Sequence, residues 1–179
     1  MQLALSRCVH VGLVAAASLV SGPLRAADGF ERVRCDQPIV PALVGVRSTA
    51  SEPVVRIEAR RKSIRLEHLG AEIVNDNVNT IFWRVCDRPF VVLDVRNVWR
   101  DAIELPPHSR EAPAFSTASC EVGGRKIGGI FVGVFSSRGT DGGSLWPVKA
   151  AWRVDHKLGR FVALDGAATC SPDGIYTAD

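Results

Sequence analysis

Pro147-Val-Lys-Ala-Ala-Trp-Arg-Val-Asp-His-Lys-Leu-Gly-Arg-Phe-Val-Ala-Leu164 is the stretch whose pattern decides the fold. Val148, Ala150, Trp152 and Val154 alternate with Lys149, Ala151, Arg153 and Asp155. That is the period of two of a strand with one face on a core. Asp155 to Gly159 is polar, and Gly159 can take the positive φ that closes a turn. Phe161-Val-Ala-Leu164 then runs back, so the spacing predicts a β-hairpin with further strands laid beside it.

Outward from the hairpin, Gly129 to Phe135 is a near-continuous apolar run, the mark of a central strand. Ser119–Val122 and Arg125–Ile127 flank Gly123-Gly124, a tight hairpin. Thr80 to Cys86 is rich in β-branched and aromatic residues. Asp87-Arg88-Pro89 turns it, Phe90 to Val95 returns, and Val98 to Leu105 extends the ribbon. Pro106 to Pro113 cannot sit inside a sheet, and Ser136 to Ser144 is a Gly-rich loop. Residues Ala27–Arg34 form a polar lead-in. Asp36 to Gly45 suits one short helix, with Asp36 as its cap, Pro38 in its first turn and Gly45 at its end. Val54 to Leu69 is ambiguous; alternation of Val55, Ile57 and Ala59, then of Ile64 and Leu66, favours a second hairpin over a helix. Gly70 and Asn75-Asp76-Asn77 break the chain, and the tail from Asp165 is pinned at Cys170. Strands this close in sequence predict a single domain of α+β class, mostly β: an antiparallel meander or twisted sheet with one or two short helices.

The first 26 residues follow the three-part pattern of a secretory signal: Arg7, an apolar run from Val9 to Val20, and Ala26 before the cleavage point. That run is too short to span a bilayer. Cleavage would leave 153 of the 179 residues, enough for a real core. It also removes Arg7 and Arg25, so 20 of the 22 basic side chains remain against 19 acidic ones. A balance near neutral gives no bulk attraction to nucleic acid. The expected location is periplasmic or secreted. Cys35, Cys86, Cys120 and Cys170 are an even set in an exported chain, which implies two disulfides. Three pairings are open. The sequential one, Cys35–Cys86 with Cys120–Cys170, is preferred because each bridge closes a loop of about fifty residues, worth ~4 kcal/mol before strain.

Val40-Pro-Ala-Leu-Val-Gly45, Ile57-Glu-Ala59, Leu66-Glu-His-Leu-Gly-Ala71, Trp83-Arg-Val-Cys86, Ala151-Trp-Arg-Val-Asp155 and Cys170-Ser-Pro-Asp-Gly-Ile175 together resemble a group of small exported proteins of Gram-negative bacteria. Where that pattern carries Gly after the cysteine of the central strand, this chain has Asp87. The resemblance implies export and one compact domain, and lends no activity.

Catalytic patterns are scarce. No Gly-x-Ser-x-Gly, His-Glu-x-x-His or Walker loop occurs. Gly123-Gly124 and Gly128-Gly129 flank a short β segment rather than opening a helix, against a phosphate-cradling loop. His68, His108 and His156 are not spaced for a shared metal, and no cofactor is implied. His108 and Ser109, with Glu104 or Glu111, are the one weak His/Ser/acid candidate for a hydrolase. Asp94, Asp101 and Glu104 are the nearest carboxylates for glycoside chemistry. Trp-Arg occurs three times, at Trp83-Arg84, Trp99-Arg100 and Trp152-Arg153. On adjacent strands, Arg84, Arg100 and Arg153 could share a cationic face for an anionic ligand, unless nearby Asp residues neutralise them. Trp146, beside the Gly-rich loop, is a second candidate contact. The expectation is an exported, non-enzymatic binding or inhibitor-like module for an envelope protein or anionic ligand. The alternatives are a small envelope hydrolase and a structural subunit joined through an edge strand.

Overall fold

The structure is a computed structural model and describes residues 29–48, 52–139 and 145–176. The signal segment, part of the loop before residue 52, part of the Gly-rich loop and the last three residues lie outside the described residues. Two short helices, α1 (Val40–Leu43) and α2 (Val54–Arg60), precede twelve strands. Four of them, β1 (Glu67–Asn75), β2 (Val78–Val85), β3 (Arg88–Val95) and β4 (Val98–Glu104), form an antiparallel meander. The others are β5 (Ala114–Thr117), β6 (Cys120–Val122), β7 (Arg125–Ile127), β8 (Phe131–Phe135), β9 (Trp146–Asp155), β10 (Arg160–Ala163), β11 (Ala168–Cys170) and β12 (Ile175–Tyr176). They make a second antiparallel sheet in the order β12-β5-β8-β9-β11-β6-β7, with β10 on β9. Mostly β, antiparallel and with two short helices, the fold has the predicted class. Only the first sheet is a meander, because the second draws its strands from distant parts of the chain.

The sheets pack face to face. Val78, Phe82, Val91 and Leu93 of the first meet Val132, Val134, Val154 and Phe161 of the second. The outer face of the first sheet is covered by the N-terminal segment: Phe30, Val33, Ile39 and Leu43 lie on Trp83, Val85, Val92 and Trp99. The outer face of the second carries Phe115, Phe131 and Phe135, with the Cys120–Cys170 bridge among them. Strands β3 and β8 are therefore apolar on both faces, which is why both read as continuous runs.

The opening hairpin forms, with Asp155 opposite Arg160 and Ala163 opposite Trp152. Gly159 takes φ +62°, and the Asp155 carboxylate accepts the N–H groups of Lys157 and Leu158 at 3.1 and 3.0 Å. One detail differs. Val134 faces Ala150 but Phe135 faces Val148, so Lys149 is a bulge. Before it, Val148 and Trp146 turn to the outer face with Ala151 and leave the face of Trp152 and Val154.

Four further expectations are corrected. Residues 54–69 are not a hairpin. α2 is followed by a one-turn 3-10 helix, Lys62–Ile64, and then by β1. Val54 and Ile57, three apart, reach the core, whereas Val55 is 68% exposed. The lead-in is not merely polar, since Phe30 and Val33 are among its best-buried residues. The first helix is a single turn starting after Ile39, with Pro41 in its first turn and no cap from Asp36. Arg32 instead donates to the exposed carbonyls of Ala42 and Val44 at 3.1 and 3.0 Å. Gly70 does not end a segment but lies inside β1, where a Cβ would collide with the Tyr176 ring. That ring stacks on Phe82 with centroids 4.1 Å apart.

The bridges join Cys35 to Cys86 and Cys120 to Cys170, spanning 51 and 50 residues. Cys86 and Asp87 take φ of +54° and +61°, a two-residue turn of the primed type that suits strand twist. Asp87 accepts the conformation that Gly would adopt freely.

Candidate functional site

Two clefts open at opposite ends of the first sheet. The register places them: Arg88 and Pro89 line one, and Asn75, in the row Asn75–Val78–Val95, lines the other.

The first is small, about 230 Å³, and brings together Arg84, Arg88, Glu104 and His108. Its charges answer one another. Arg84 pairs with Glu67 across β1 and β2. Arg88 meets Glu104 with both carboxylate oxygens, its Nε donating to Oε1 at 2.6 Å. Arg65 pairs with Asp87. His108 is held by burial below its ordinary pKa; the Pro106 carbonyl works against this and the Arg84 charge adds to it. Its Nδ1 lies 3.4 Å from that carbonyl, and its buried Nε2 has no hydrogen-bond partner among the described residues. Ser109 faces elsewhere. Its hydroxyl donates to Glu111 Oε2 at 2.8 Å and accepts the N–H groups of Glu111 and Ala112, closing a local turn. That hydroxyl bond holds the Glu111 carboxyl below the usual range. Thus Glu104 and His108 share a cleft, but among the described residues no nucleophile is aimed at the imidazole. A Ser–His pair needs that bond before it can transfer a proton.

The carboxylates considered for glycoside chemistry are spent on structure. Asp94 is buried and accepts the Ser48 hydroxyl at 2.7 Å. Asp101 takes the Phe161 N–H at 2.7 Å, tying β4 to the outer edge of β10. Glu104 holds Arg88. His68 is half-buried edge-on to Trp83, at 4.8 Å between centroids, and burial lowers its pKa.

The second cleft is wider, about 570 Å³, at the mouth between the sheets. It is lined by Val74 and Asn75 of β1, by Gly128, Gly129 and Ile130 before β8, and by Arg153, Asp155, His156 and Lys157 of the β9–β10 hairpin. The Arg153 stem lies against Gly129, where a Cβ would sit 3.3 Å from its Cδ. Arg100 lays its stem against Gly159 in the same turn. Arg160 stands opposite Asp155, on the face shared with Arg153. Among the described residues, Arg100, Arg153, Lys157 and Arg160 have no ion-pair partner. The one acid in this turn, Asp155, is committed to backbone N–H groups, which keep its carboxyl below the usual range.

Of the three Trp-Arg arginines, then, Arg84 is at the paired end, while Arg100 and Arg153 flank the β9–β10 turn. They do not form one face. Trp146 is half-buried, edge-on to Phe135 at 5.2 Å, and closely covered by Gly139. Reasoning from sequence missed Lys157 and Arg160 as members of the basic group. The signal was present as four cationic or imidazole side chains in the eight residues from Arg153 to Arg160. Among the described residues no cluster of His, Cys, Asp and Glu suits a metal, and no helix is long and apolar enough to cross a membrane. Compared with protein families, with curated proteins and with solved structures, the chain matches none.

Proposed function

We propose that this protein is an exported binding module, working in the periplasm or beyond the cell, that engages a carboxylate-bearing envelope partner through the basic mouth at the β9–β10 turn. The observation carrying this reading is a cleft of about 570 Å³ lined by Arg153 and Lys157, with Arg160 on the adjoining strand and Arg100 beside Gly159, none of the four in an ion pair among the described residues. Arg153 and Arg160 feel the charge of Asp155, but its carboxylate accepts backbone N–H groups, so their own donors remain for a carboxylate, which Arg meets as a fork. Two disulfides and a sandwich apolar on three layers hold that surface on a stiff frame. An inhibitor-like role fits the same surface, since occluding a partner needs rigidity and no chemistry of its own.

The test is a photocrosslinking residue placed at Lys157 and, separately, at Asp87 in the exported full-length protein. A defined adduct from Lys157 alone, lost with Arg153→Glu, is the expected result. Adducts from Asp87 only, or from neither position, would move the function away from this mouth.

A further inference from the structure

Resting on that reading, we infer that the partner is met as an extended acidic segment, docked along the open edge of β1 with its carboxylates in the basic mouth. β1 pairs with β2 on one side, and among the described residues no strand pairs with the other. The start of that edge is occupied, because the His68 N–H donates to Glu58 Oε1 of α2 at 2.7 Å. What is open is the end, residues 71–75, about 17 Å long at ~3.4 Å per residue. Ile73 stands there 77% exposed, one of the most exposed large apolar side chains in the protein. The last two residues of this edge, Val74 and Asn75, are also the wall of the mouth. Strand backbone with no partner strand among the described residues is therefore contiguous with Arg153 and Lys157.

That adjacency selects the ligand class. Backbone groups at a sheet edge are satisfied by another extended backbone, which gives affinity without sequence demand. Arg153 and Lys157 enter the cleft from separate points of the hairpin, with Arg160 on the strand beyond, so a string of carboxylates suits them better than one small anion. Gly128, with open space where a Cβ would stand, leaves room for side chains of the incoming segment. An apolar residue beside Ile73 would complete the fit.

The experiment uses the full-length oxidised protein and three probes: an N-acetylated hexapeptide alternating valine and glutamate, the same peptide N-methylated at each valine, and inorganic phosphate. A valine–lysine hexapeptide is the control. Expected are shifted and exchange-protected amides at 71–75 with the valine–glutamate peptide, and roughly tenfold weaker binding for Arg153→Glu. Equal binding of the N-methylated peptide, or phosphate binding with no peptide binding, would overturn strand docking while leaving the anion-binding mouth intact. Equal binding of the valine–lysine peptide, or no binding of any probe, would overturn both. Self-association through β1 without peptide would replace the acidic segment by a second copy.

Discussion

Three arginines at one end of the sandwich and three at the other stand in opposite electrical states. At the β2–β3 end, Arg65, Arg84 and Arg88 face Asp87, Glu67 and Glu104. At the β9–β10 end, Arg100, Arg153 and Arg160 have no such partner among the described residues. The residue type is the same; the cross-strand neighbour differs. A strand arginine opposite a glutamate has its donors filled, and such exposed pairs contribute less than about 1 kcal/mol each to stability. Arg160, whose opposite acid Asp155 is tied into a turn, and Arg153, which stands opposite Val162 and Phe131, keep their donors for a visitor. The paired end is also the stapled end, since Cys86 opens its turn and is bridged to Cys35.

The largest expected effect breaks the stapled end. Replacing Cys35 and Cys86 together by Ser should cost up to ~4 kcal/mol, read from denaturant midpoints under oxidising conditions. A loss within error would mean that packing of Phe30 and Leu43 on the sheet suffices there. Next comes charge reversal. Arg153→Glu with Lys157→Glu should cut affinity for a carboxylate-bearing probe about a hundredfold at low salt, with thermal stability held. Arg84→Glu with Arg88→Glu makes the same change in net charge and should lower that affinity by no more than a few-fold. Equal losses would erase the distinction between the ends.

A smaller effect sharpens it. Glu67→Gln with Glu104→Gln should free Arg84 and Arg88, so that anion binding appears at the small cleft while stability falls by about 1 kcal/mol or less. Smallest is a pH effect at His108. Unfolded, its imidazole titrates near 6.5; folded, burial holds its pKa lower. Below pH 6.5 the unfolded chain therefore binds the proton first, and stability declines until the folded pKa is passed. His108→Gln should flatten that part of a melting-temperature profile between pH 7 and 5. An unchanged slope would show the ring to be solvated.

Much of the scaffold was legible because its signals are local. Alternation from Ala150 to Asp155, the run Gly129–Phe135 and the Gly123-Gly124 turn depend on neighbours in the chain. The stretch 54–69 was not, because α2 is held by docking Val54 and Ile57 on Trp83 and its neighbours rather than by a long amphipathic face. The basic mouth was half legible. The cations crowd into Arg153–Arg160, but their freedom depends on which acids stand opposite, and that is a matter of register. Ser109 and His108 adjoin in sequence, yet the hydroxyl is consumed by its own loop.

By itself, the order of residues determined most of the strands and turns from Thr80 onward, the even set of cysteines and the signal-like leader, since each follows from the preferences of short segments and of single side chains. Only the tertiary structure decided which arginines are neutralised, which face Val148 joins, and that the edge of β1 meets the basic turn. Those outcomes rest on pairing and packing between segments far apart in the chain, where a shift of one residue exchanges buried for exposed and paired for free.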